Sequence, residues 1–166
     1  MKNSALGIDF GYSATYFGIW NKNQIEIIRN DQGEKAFPNY VAYTDVERLC
    51  GTAAYNQRGR NAQNTFFDFK YLLGHKMDDE EIQQRIKSWP FQLKKGADQE
   101  IKFESDLDGK KQLHAVPDQI ALIFRKGLEQ QEIISGNPAL DAIVTVPRDF
   151  TAHQRKLVID ACQLSN

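Results

Sequence analysis

The first part of the chain alternates apolar and polar residues with the two-residue period of β-strands. This period predicts three short strands, at residues 5–9, 15–20 and 25–28. Asn21-Lys22-Asn23 is a turn cluster between the second and third strands. We therefore expect antiparallel hairpins here, followed after the break at Pro38 by a further short strand at residues 41–43.

The middle of the chain mixes helical and strand periods. Helices are predicted at residues 51–58 and 78–88, the second with an acidic first turn and a stop at Trp89-Pro90. Residues 101–105 alternate between apolar and charged side chains, and Asp108-Gly109 predicts the turn of a β-hairpin. Trp20 and Trp89 are both predicted to pack in the core or between subdomains.

The last fifty residues predict a helix, a strand and a second helix. Pro117 begins the first helix, which carries its apolar residues on one face and ends at Gly136-Asn137-Pro138. The continuous apolar run at residues 142–146 predicts a buried strand. Thr151-x-x-Gln154 predicts a capping box for the second helix. This alternation favours a parallel crossover, so the predicted fold class is α/β (mixed), a mixed sheet flanked by helices.

Composition narrows the classes of function. The chain has 166 residues, 41% hydrophobic and 26% charged, with a net charge of −1. These values suit a globular protein of one domain or two small lobes and indicate no general affinity for nucleic acid. No apolar run approaches the length of a membrane helix. Cys50 and Cys162 show neither metal-ligand spacing nor a disulfide framework, which predicts a cytoplasmic location.

The strongest chemical signal is the segment Leu6-Gly7-Ile8-Asp9-Phe10-Gly11-Tyr12-Ser13. Here an apolar strand ends in an aspartate, a glycine and a hydroxyl, and a second strand follows. Gly11 lets the backbone approach a phosphate closely, and N–H groups in such a turn form an anion-binding concavity. Asp9 suits a cation such as Mg²⁺, bound through water. The same pattern also fits an ordinary hairpin turn in which Asp9 and Gly11 are turn formers.

Further motifs favour the phosphate-binding interpretation. In chain order they are Asn30-Asp31-Gln32-Gly33, Pro38, Tyr40-Val41-Ala42-Tyr43-Thr44-Asp45, Asn64-Thr65, Phe67-Asp68-Phe69-Lys70, Trp89-Pro90-Phe91, Val144-Thr145-Val146-Pro147, and Gln154 with Arg155. Together they resemble the start of the ATPase domain of the seventy-kilodalton heat-shock chaperones, over essentially the whole chain. The resemblance implies a ribonuclease-H-like fold shared with actin. Residues 1–38 and 116–166 would form its nucleotide-facing subdomain, and residues 39–115 a peripheral α+β subdomain.

The resemblance also implies ligands and partners. ATP or ADP with Mg²⁺ would bind between two lobes, and hydrolysis would be coupled to the capture and release of unfolded polypeptides. The implied partners are a second ATPase lobe, a peptide-binding domain, J-domain cochaperones and nucleotide-exchange factors. Because the chain corresponds to the first lobe only, we expect it to be a fragment rather than a natural short protein. Alone it is expected to bind ATP weakly and to show no appreciable turnover.

Individual roles follow from the same resemblance. Asp9 would organise the metal, the segment Gly11, Tyr12 and Ser13 would bind phosphate, and Lys70 would stabilise charge that develops near the terminal phosphate. From composition alone, Lys70 is better explained as a solvated lysine beside an apolar helix face, and the motif Phe67-Asp68-Phe69-Lys70 reverses that preference.

Two further positions match residues that relay nucleotide state to the peptide-binding domain, namely Pro147 and Arg155. From the residues alone, they are equally well explained as a strand terminator and an exposed helix charge.

Two tyrosines depart from the family pattern. Relatives usually have Asp-x-Gly-Thr-Thr where this chain has Asp9 to Ser13, so Tyr12 replaces a small hydroxyl residue. Its ring either points away or occupies space near the terminal phosphate, where it would impair hydrolysis. Tyr71 stands where relatives usually carry arginine. These departures favour, as an alternative, a non-hydrolysing nucleotide sensor or cochaperone scaffold. A sugar kinase or actin-like filament protein shares the phosphate turn but lacks the motifs at residues 64–70 and 89–91.

Overall fold

The computed structural model describes residues 5–165 and confirms a mixed α/β fold. The strands are β1 (Leu6–Phe10), β2 (Ala14–Asn21), β3 (Gln24–Ile27), β4 (Phe37–Pro38), β5 (Val41–Tyr43), β6 (Arg48–Cys50), β7 (Thr65–Phe66), β8 (Gln92–Lys95), β9 (Ile101–Leu107), β10 (Lys110–Ala115) and β11 (Ala142–Thr145). The helices are α1 (Thr52–Tyr55), α2 (Phe69–Leu72), α3 (Glu80–Arg85), α4 (Val116–Ser135) and α5 (Ala152–Leu164). Short 3₁₀ turns lie at Ala62–Asn64, Ile86–Ser88 and Ala97–Gln99.

The first sheet brings the two ends of the chain together. Its strand order is β11-β1-β2-β3, with β4 also paired to β2. β1 and β2 form the expected antiparallel hairpin, whereas β1 and β11 are parallel, as the predicted crossover requires. The register places Asp9 opposite Thr145. Because the carboxyl ends of parallel strands meet at one edge, this pairing positions the candidate site.

The outer face of this sheet is exposed, and two predictions fail there. Trp20 was predicted to be packed, but it is 64% exposed, because the alternation of β2 turns Phe17 and Ile19 inward and Trp20 outward. β11 was predicted to be buried, but Ile143 is 72% exposed. Among the described residues, helices cover only the inner face of the first sheet, so the apolar run of β11 is covered on one side. Trp89, by contrast, is buried as predicted.

α4 joins the first sheet to the rest of the molecule. It packs against β2 and also against strands of the two smaller sheets, β10-β9-β8 and β6-β5-β7. Phe124 of α4 meets Phe10 of β1 edge to face, with ring centroids 5.4 Å apart. Gly127 packs on Phe17 so closely that a Cβ atom there would lie 2.3 Å from the ring. The backbone of α4 at Gly127 therefore lies directly against the Phe17 side chain of the first sheet.

The smaller sheets share an aromatic core. Phe66 stacks on Phe103 with centroids 4.7 Å apart, and Tyr43 stacks on His114 at 3.9 Å. The predicted hairpin between β9 and β10 is confirmed, with positive φ at Asp108 and Gly109. The short strands β4, β6, β7 and β8 were not predicted, because two to four residues carry too little periodicity.

The helix limits differ in detail from the prediction. The helix predicted at residues 51–58 is limited to α1, and the one predicted at 78–88 is α3 followed by a 3₁₀ turn. The capping box of α5 is confirmed, because the Thr151 hydroxyl accepts a hydrogen bond from the Gln154 N–H at 3.2 Å. Within residues 5–165, no helix is both long and apolar enough to cross a membrane.

Candidate functional site

The turn from β1 to β2 is tight because residue 11 has no side chain. The Gly11 N–H donates to the carbonyl oxygens of Asp9 and Ala14, both at 3.1 Å. A Cβ atom at Gly11 would lie 2.4 Å from the Ala14 oxygen, whereas its φ angle is not positive. The glycine is therefore required for close backbone approach and not for an unusual φ. Its N–H is used inside the turn, so it is no donor for a ligand.

Asn39 organises the rest of the turn, and sequence reasoning missed it. Its amide Nδ2 donates to the Gly11 oxygen at 3.0 Å and to the Tyr12 oxygen at 3.3 Å, while its backbone N–H donates to the Ser13 oxygen at 2.9 Å. The carbonyl and N–H of a trans peptide point in opposite directions. Holding these carbonyls toward Asn39 therefore turns the N–H groups of Tyr12 and Ser13 away from it. Neither N–H has a protein acceptor among residues 5–165.

Asn39 is itself held by a residue of β2. The Thr15 hydroxyl donates to its Oδ1 at 2.7 Å, and both side chains are buried. A buried amide with all its partners satisfied is a rigid support. The sequence signal was weak, because one asparagine after a proline does not reveal a contact across 28 residues with Gly11.

Asp9 lies exposed at the end of β1 and is oriented by β11. The Thr145 hydroxyl donates to Asp9 Oδ1 at 2.7 Å, a contact between residues 136 positions apart. The carboxylate is thus bound to the neighbouring strand and does not cap its own turn. Asp9 and Thr145 line an open groove of about 640 Å³ along the outer face of the first sheet.

Lys70 reaches the same turn from α2. Its side chain is only 6% exposed, and its Nζ donates to the carbonyl oxygen of Phe10. Burial lowers the pKa of Lys70, and the nearby Asp9 carboxylate opposes that effect. Lys70 is therefore not a solvated surface lysine.

The start of α2 is fixed by a bond that the sequence motifs did not reveal. Asp68 precedes the helix in the left-handed conformation, with φ of 60°, and its Oδ2 accepts a hydrogen bond from Trp89 Nε1 at 2.9 Å. This contact links the motif at residues 67–70 to the one at residues 89–91. It places Lys70 at the turn by fixing the helix that carries it.

The Tyr12 ring lies against Lys70. Lys70 Nζ is 4.8 Å from the centroid of the Tyr12 ring, and the Tyr12 and Tyr71 centroids are 4.5 Å apart. The Tyr12 ring therefore lies between Lys70 and Tyr71. Burial is the main cause that raises the pKa of Tyr12, and the Asp149 carboxylate and an ionised Tyr71 raise it further. Its hydroxyl is therefore neutral near pH 7.

Pro147 and Arg155 contact each other in the loop between β11 and α5. Arg155 Nη2 donates to the Pro147 oxygen at 3.2 Å and to the Arg148 oxygen at 3.0 Å, and Nε donates to the Phe150 oxygen at 3.0 Å. The side chain therefore closes the loop between β11 and α5. This α5 terminus also touches the helix of Lys70, since Gln154 Nε2 donates to the Leu73 oxygen at 3.0 Å.

The donor set fits a magnesium ion that arrives with phosphates. Among the described residues, no group of three or more His, Cys, Asp or Glu side chains could hold a metal. Mg²⁺ commonly uses one or two carboxylates and takes its other ligands from water and substrate phosphates. The exposed, oriented carboxylate of Asp9 beside outward N–H groups meets that requirement.

Comparison with known proteins shows to which family the chain belongs. A family model described as "Hsp70 protein" matches residues 5–165. The chain is 37% identical over 164 residues to heat shock cognate 70 kDa protein 3 of Dictyostelium discoideum. That alignment covers 98% of this chain and 26% of the relative. It is 39% identical over 158 residues to a heat shock 70 kDa protein of Neurospora crassa, covering 95% of this chain and 24% of that protein.

A similar match comes from a heat shock 70 kDa protein of Ajellomyces capsulatus, which is 40% identical over 159 residues. That alignment covers 95% of this chain and 22% of the relative, so the chain spans about a quarter of the length of these three proteins. The matched residues include the turn after β1, α2, β11 and α5. The chain therefore belongs to the Hsp70 family and matches the amino-terminal lobe of its actin-like ATPase domain.

Proposed function

We propose that this chain forms the first lobe of the ATP-binding domain of a heat-shock-type molecular chaperone. That chaperone would couple Mg-ATP binding and hydrolysis to the binding and release of unfolded polypeptides. The observation that supports this most is the convergence of Asp9, the turn at residues 11–13 and Lys70 at one edge of the sheet. An anion-binding turn, a carboxylate and a buried ammonium group together match the needs of a nucleotide phosphate.

Each residue has a separate proposed task. The outward N–H groups of Tyr12 and Ser13, with the Ser13 hydroxyl, bind phosphate oxygens. Lys70 faces the terminal phosphate and stabilises the negative charge that grows there. Asp9 holds Mg²⁺ through water, and Mg²⁺ when bound neutralises phosphate charge. Pro147 and Arg155 relay the state of this site to the peptide-binding domain through the loop that Arg155 closes.

The organisation of the whole protein is part of the proposal. Residues 1–38 and 116–166 form the nucleotide-facing subdomain, and residues 39–115 the peripheral one. A second lobe supplies the opposite wall of the cleft, and J-domain cochaperones and nucleotide-exchange factors act on the assembled domain. The free thiols of Cys50 and Cys162 suit the reducing cytoplasm.

The lobe alone is proposed to bind ATP weakly. Its phosphate contacts lie at an exposed surface, where charge interactions are screened by water, and the adenine lacks the enclosure typical of small-molecule sites. Tests of binding and turnover therefore need a two-lobed domain that contains this chain.

The first test removes the carboxylate charge at the proposed metal position. In the two-lobed domain, Asp9→Asn is expected to reduce the dependence of ADP affinity on magnesium, because a neutral amide is a weaker ligand for a hard cation. Titration calorimetry with and without Mg²⁺ measures this dependence. Asp45→Asn, which changes an exposed aspartate far along the chain, is the matched control. An unchanged magnesium dependence in the Asp9 variant would remove Asp9 from the site.

The alternative, a nucleotide sensor that does not hydrolyse, is favoured by one observation, the contact of the Tyr12 ring with Lys70. If the ring impairs hydrolysis by its bulk, Tyr12→Thr is expected to raise the single-turnover rate about ten- to a hundredfold. ADP affinity should change little, because the backbone donors remain. Tyr12→Phe keeps the ring and is expected to show no gain. Quenched-flow measurements on both variants decide the point, and a wild-type rate already typical of an ATPase and unchanged by Tyr12→Thr contradicts it.

A further inference from the structure

Four side chains form a continuous stack beside the phosphate turn. Lys70 Nζ lies 4.8 Å from the Tyr12 ring centroid, and the Tyr12 and Tyr71 rings lie 4.5 Å apart at 38°. The Arg85 guanidinium carbon then lies 4.3 Å from the Tyr71 centroid. The order is therefore cation, ring, ring, cation.

The stack joins separate parts of the chain. Tyr12 belongs to the turn after β1, Lys70 and Tyr71 to α2, and Arg85 to the last turn of α3. The face of an aromatic ring is electron-rich, so a cation on each outer face of a ring pair attracts it from both sides. Each contact thus supports the next one along the stack.

Tyr12 needs such support, since its side chain is 44% exposed and belongs to a loop. A half-exposed ring outside the hydrophobic core gains little from burial that would fix its orientation. Lys70 contacts one side of the ring, and Tyr71 contacts it as well. Arg85 is placed to act on Tyr12 through Tyr71.

We propose that Tyr71 and Arg85 are positioning residues that hold the Tyr12 ring over Lys70, so that the stack controls access to the Lys70 amino group. The consequence for hydrolysis rests on the proposed function, in which Lys70 faces the terminal phosphate. The stack itself consists only of side chains of this chain, so it can be tested without nucleotide.

The charged neighbours of the stack are few. The Asp9 carboxylate is the charge that acts on Lys70, and it opposes the effect of burial on the pKa of that group. Arg85 Nε also forms an exposed ion pair with Glu81 Oε1 at 3.5 Å. Besides burial, the groups that affect the pKa of Tyr12 are the Tyr71 hydroxyl when it is ionised and the charges of Asp149, Glu81 and Arg85.

The test reads the Lys70 amine directly in the 166-residue chain, without nucleotide. Trace labelling with acetic anhydride across a range of pH, followed by peptide mass spectrometry, gives the rate for each lysine. Fitting the part of the profile below about pH 9, where the hydroxyls of Tyr12 and Tyr71 keep their protons, gives the plateau rate of the neutral amine, which reports access to Lys70. Arg85→Gln is expected to raise the Lys70 plateau about two- to fivefold, from the usual strength of one cation–π contact. Tyr71→Leu is expected to raise it further, since it removes the layer that touches Tyr12.

The midpoint of the same profile gives a second readout. Exposing Lys70 to water lessens the burial that lowers its pKa, so the midpoint should move to higher pH in both variants. The double variant Tyr71→Leu/Arg85→Gln should match Tyr71→Leu alone, because Arg85 acts through Tyr71.

Three variants control for other causes. Arg85→Lys keeps a cation over the ring and should remain near wild type. Glu81→Gln removes the ion pair but leaves the stack, so Lys70 labelling should not change. Arg58→Gln removes a similar cation–π contact, 3.7 Å from the Tyr55 ring, in another part of the molecule. It should also leave Lys70 labelling unchanged.

Two results would overturn the proposal. One is a Lys70 plateau that stays at the wild-type value in folded Arg85→Gln and Tyr71→Leu proteins. The other is an additive effect in the double variant, which would mean that Arg85 acts independently of Tyr71. Because no nucleotide is used, the labelling result does not depend on whether the proposed ATPase role is correct. Likewise, a failure of the stack proposal would leave the proposed ATPase role untouched.

Discussion

Lys70→Ala in a two-lobed domain is expected to lower the single-turnover rate of Mg-ATP hydrolysis by about a hundredfold or more. ADP affinity should stay within about threefold of wild type, since an interaction made mainly in the transition state affects rate more than ground-state binding. The physical reason is the burial of Lys70 beside the turn, where its ammonium group is poorly screened by water. Quenched-flow kinetics and calorimetry measure the two quantities separately.

The controls for Lys70 separate charge from packing. Lys70→Met keeps an unbranched side chain under the Tyr12 ring, and it should lose the rate to a similar extent as alanine. Lys76→Ala changes an exposed lysine just beyond α2 and should leave the rate unchanged. Equal losses of rate and of ADP affinity in Lys70→Met would instead assign Lys70 to ground-state phosphate binding.

Gly127→Ala is expected to destabilise the chain by about 1–3 kcal/mol, the usual cost of overpacking a core. The added Cβ atom would lie 2.3 Å from the Phe17 ring, which is fully buried and also meets Phe37 at 4.8 Å. Alanine favours a helix interior by about 1 kcal/mol over glycine, so the net loss understates the cost of the clash by about that amount. Urea unfolding followed by circular dichroism measures the change in the free energy of unfolding.

A second-site variant tests the cause of that loss. Phe17→Leu reshapes the ring's space and should be less harmful in combination with Gly127→Ala than the two separate losses added together. Gly59→Ala is the control, because a Cβ atom there meets nothing within 4 Å and the residue has no positive φ. A Gly127→Ala protein as stable as wild type would mean that moving the ring aside costs no more than the roughly 1 kcal/mol of helix propensity that alanine gains.

Local patterns in the sequence were sufficient to predict most of the strands and helices near the candidate site. The alternation in β1 and β2, the Asp108-Gly109 turn and the capping box at Thr151 each act over a few residues, and the structure confirms all three. Such signals are readable because the backbone conformation they favour depends on neighbours along the chain. The strand at residues 142–146 was placed nearly correctly for the same reason.

Burial on the outer sheet face was not predictable in this way. Ile143 and Trp20 have the residue types of a core, but exposure depends on which faces other elements cover. In residues 5–165 the helices cover one face of the first sheet only. The apolar content of a strand shows that it can pack in a core. It does not show which element, if any, covers each face of the strand.

The candidate site likewise combines features that local sequence patterns predict with contacts that only the tertiary structure shows. Residue types and order along the chain were enough to single out Asp9, the turn at residues 11–13 and Lys70, through their resemblance to a family. Only the tertiary structure showed Asn39 turning the N–H groups outward, Thr145 orienting Asp9, and Arg85 supporting the tyrosine stack. These contacts join residues between 14 and 136 positions apart, such as Thr145 with Asp9 and Arg85 with Tyr71. Chain order does not encode such distances, because packing of the whole fold decides which remote side chains meet.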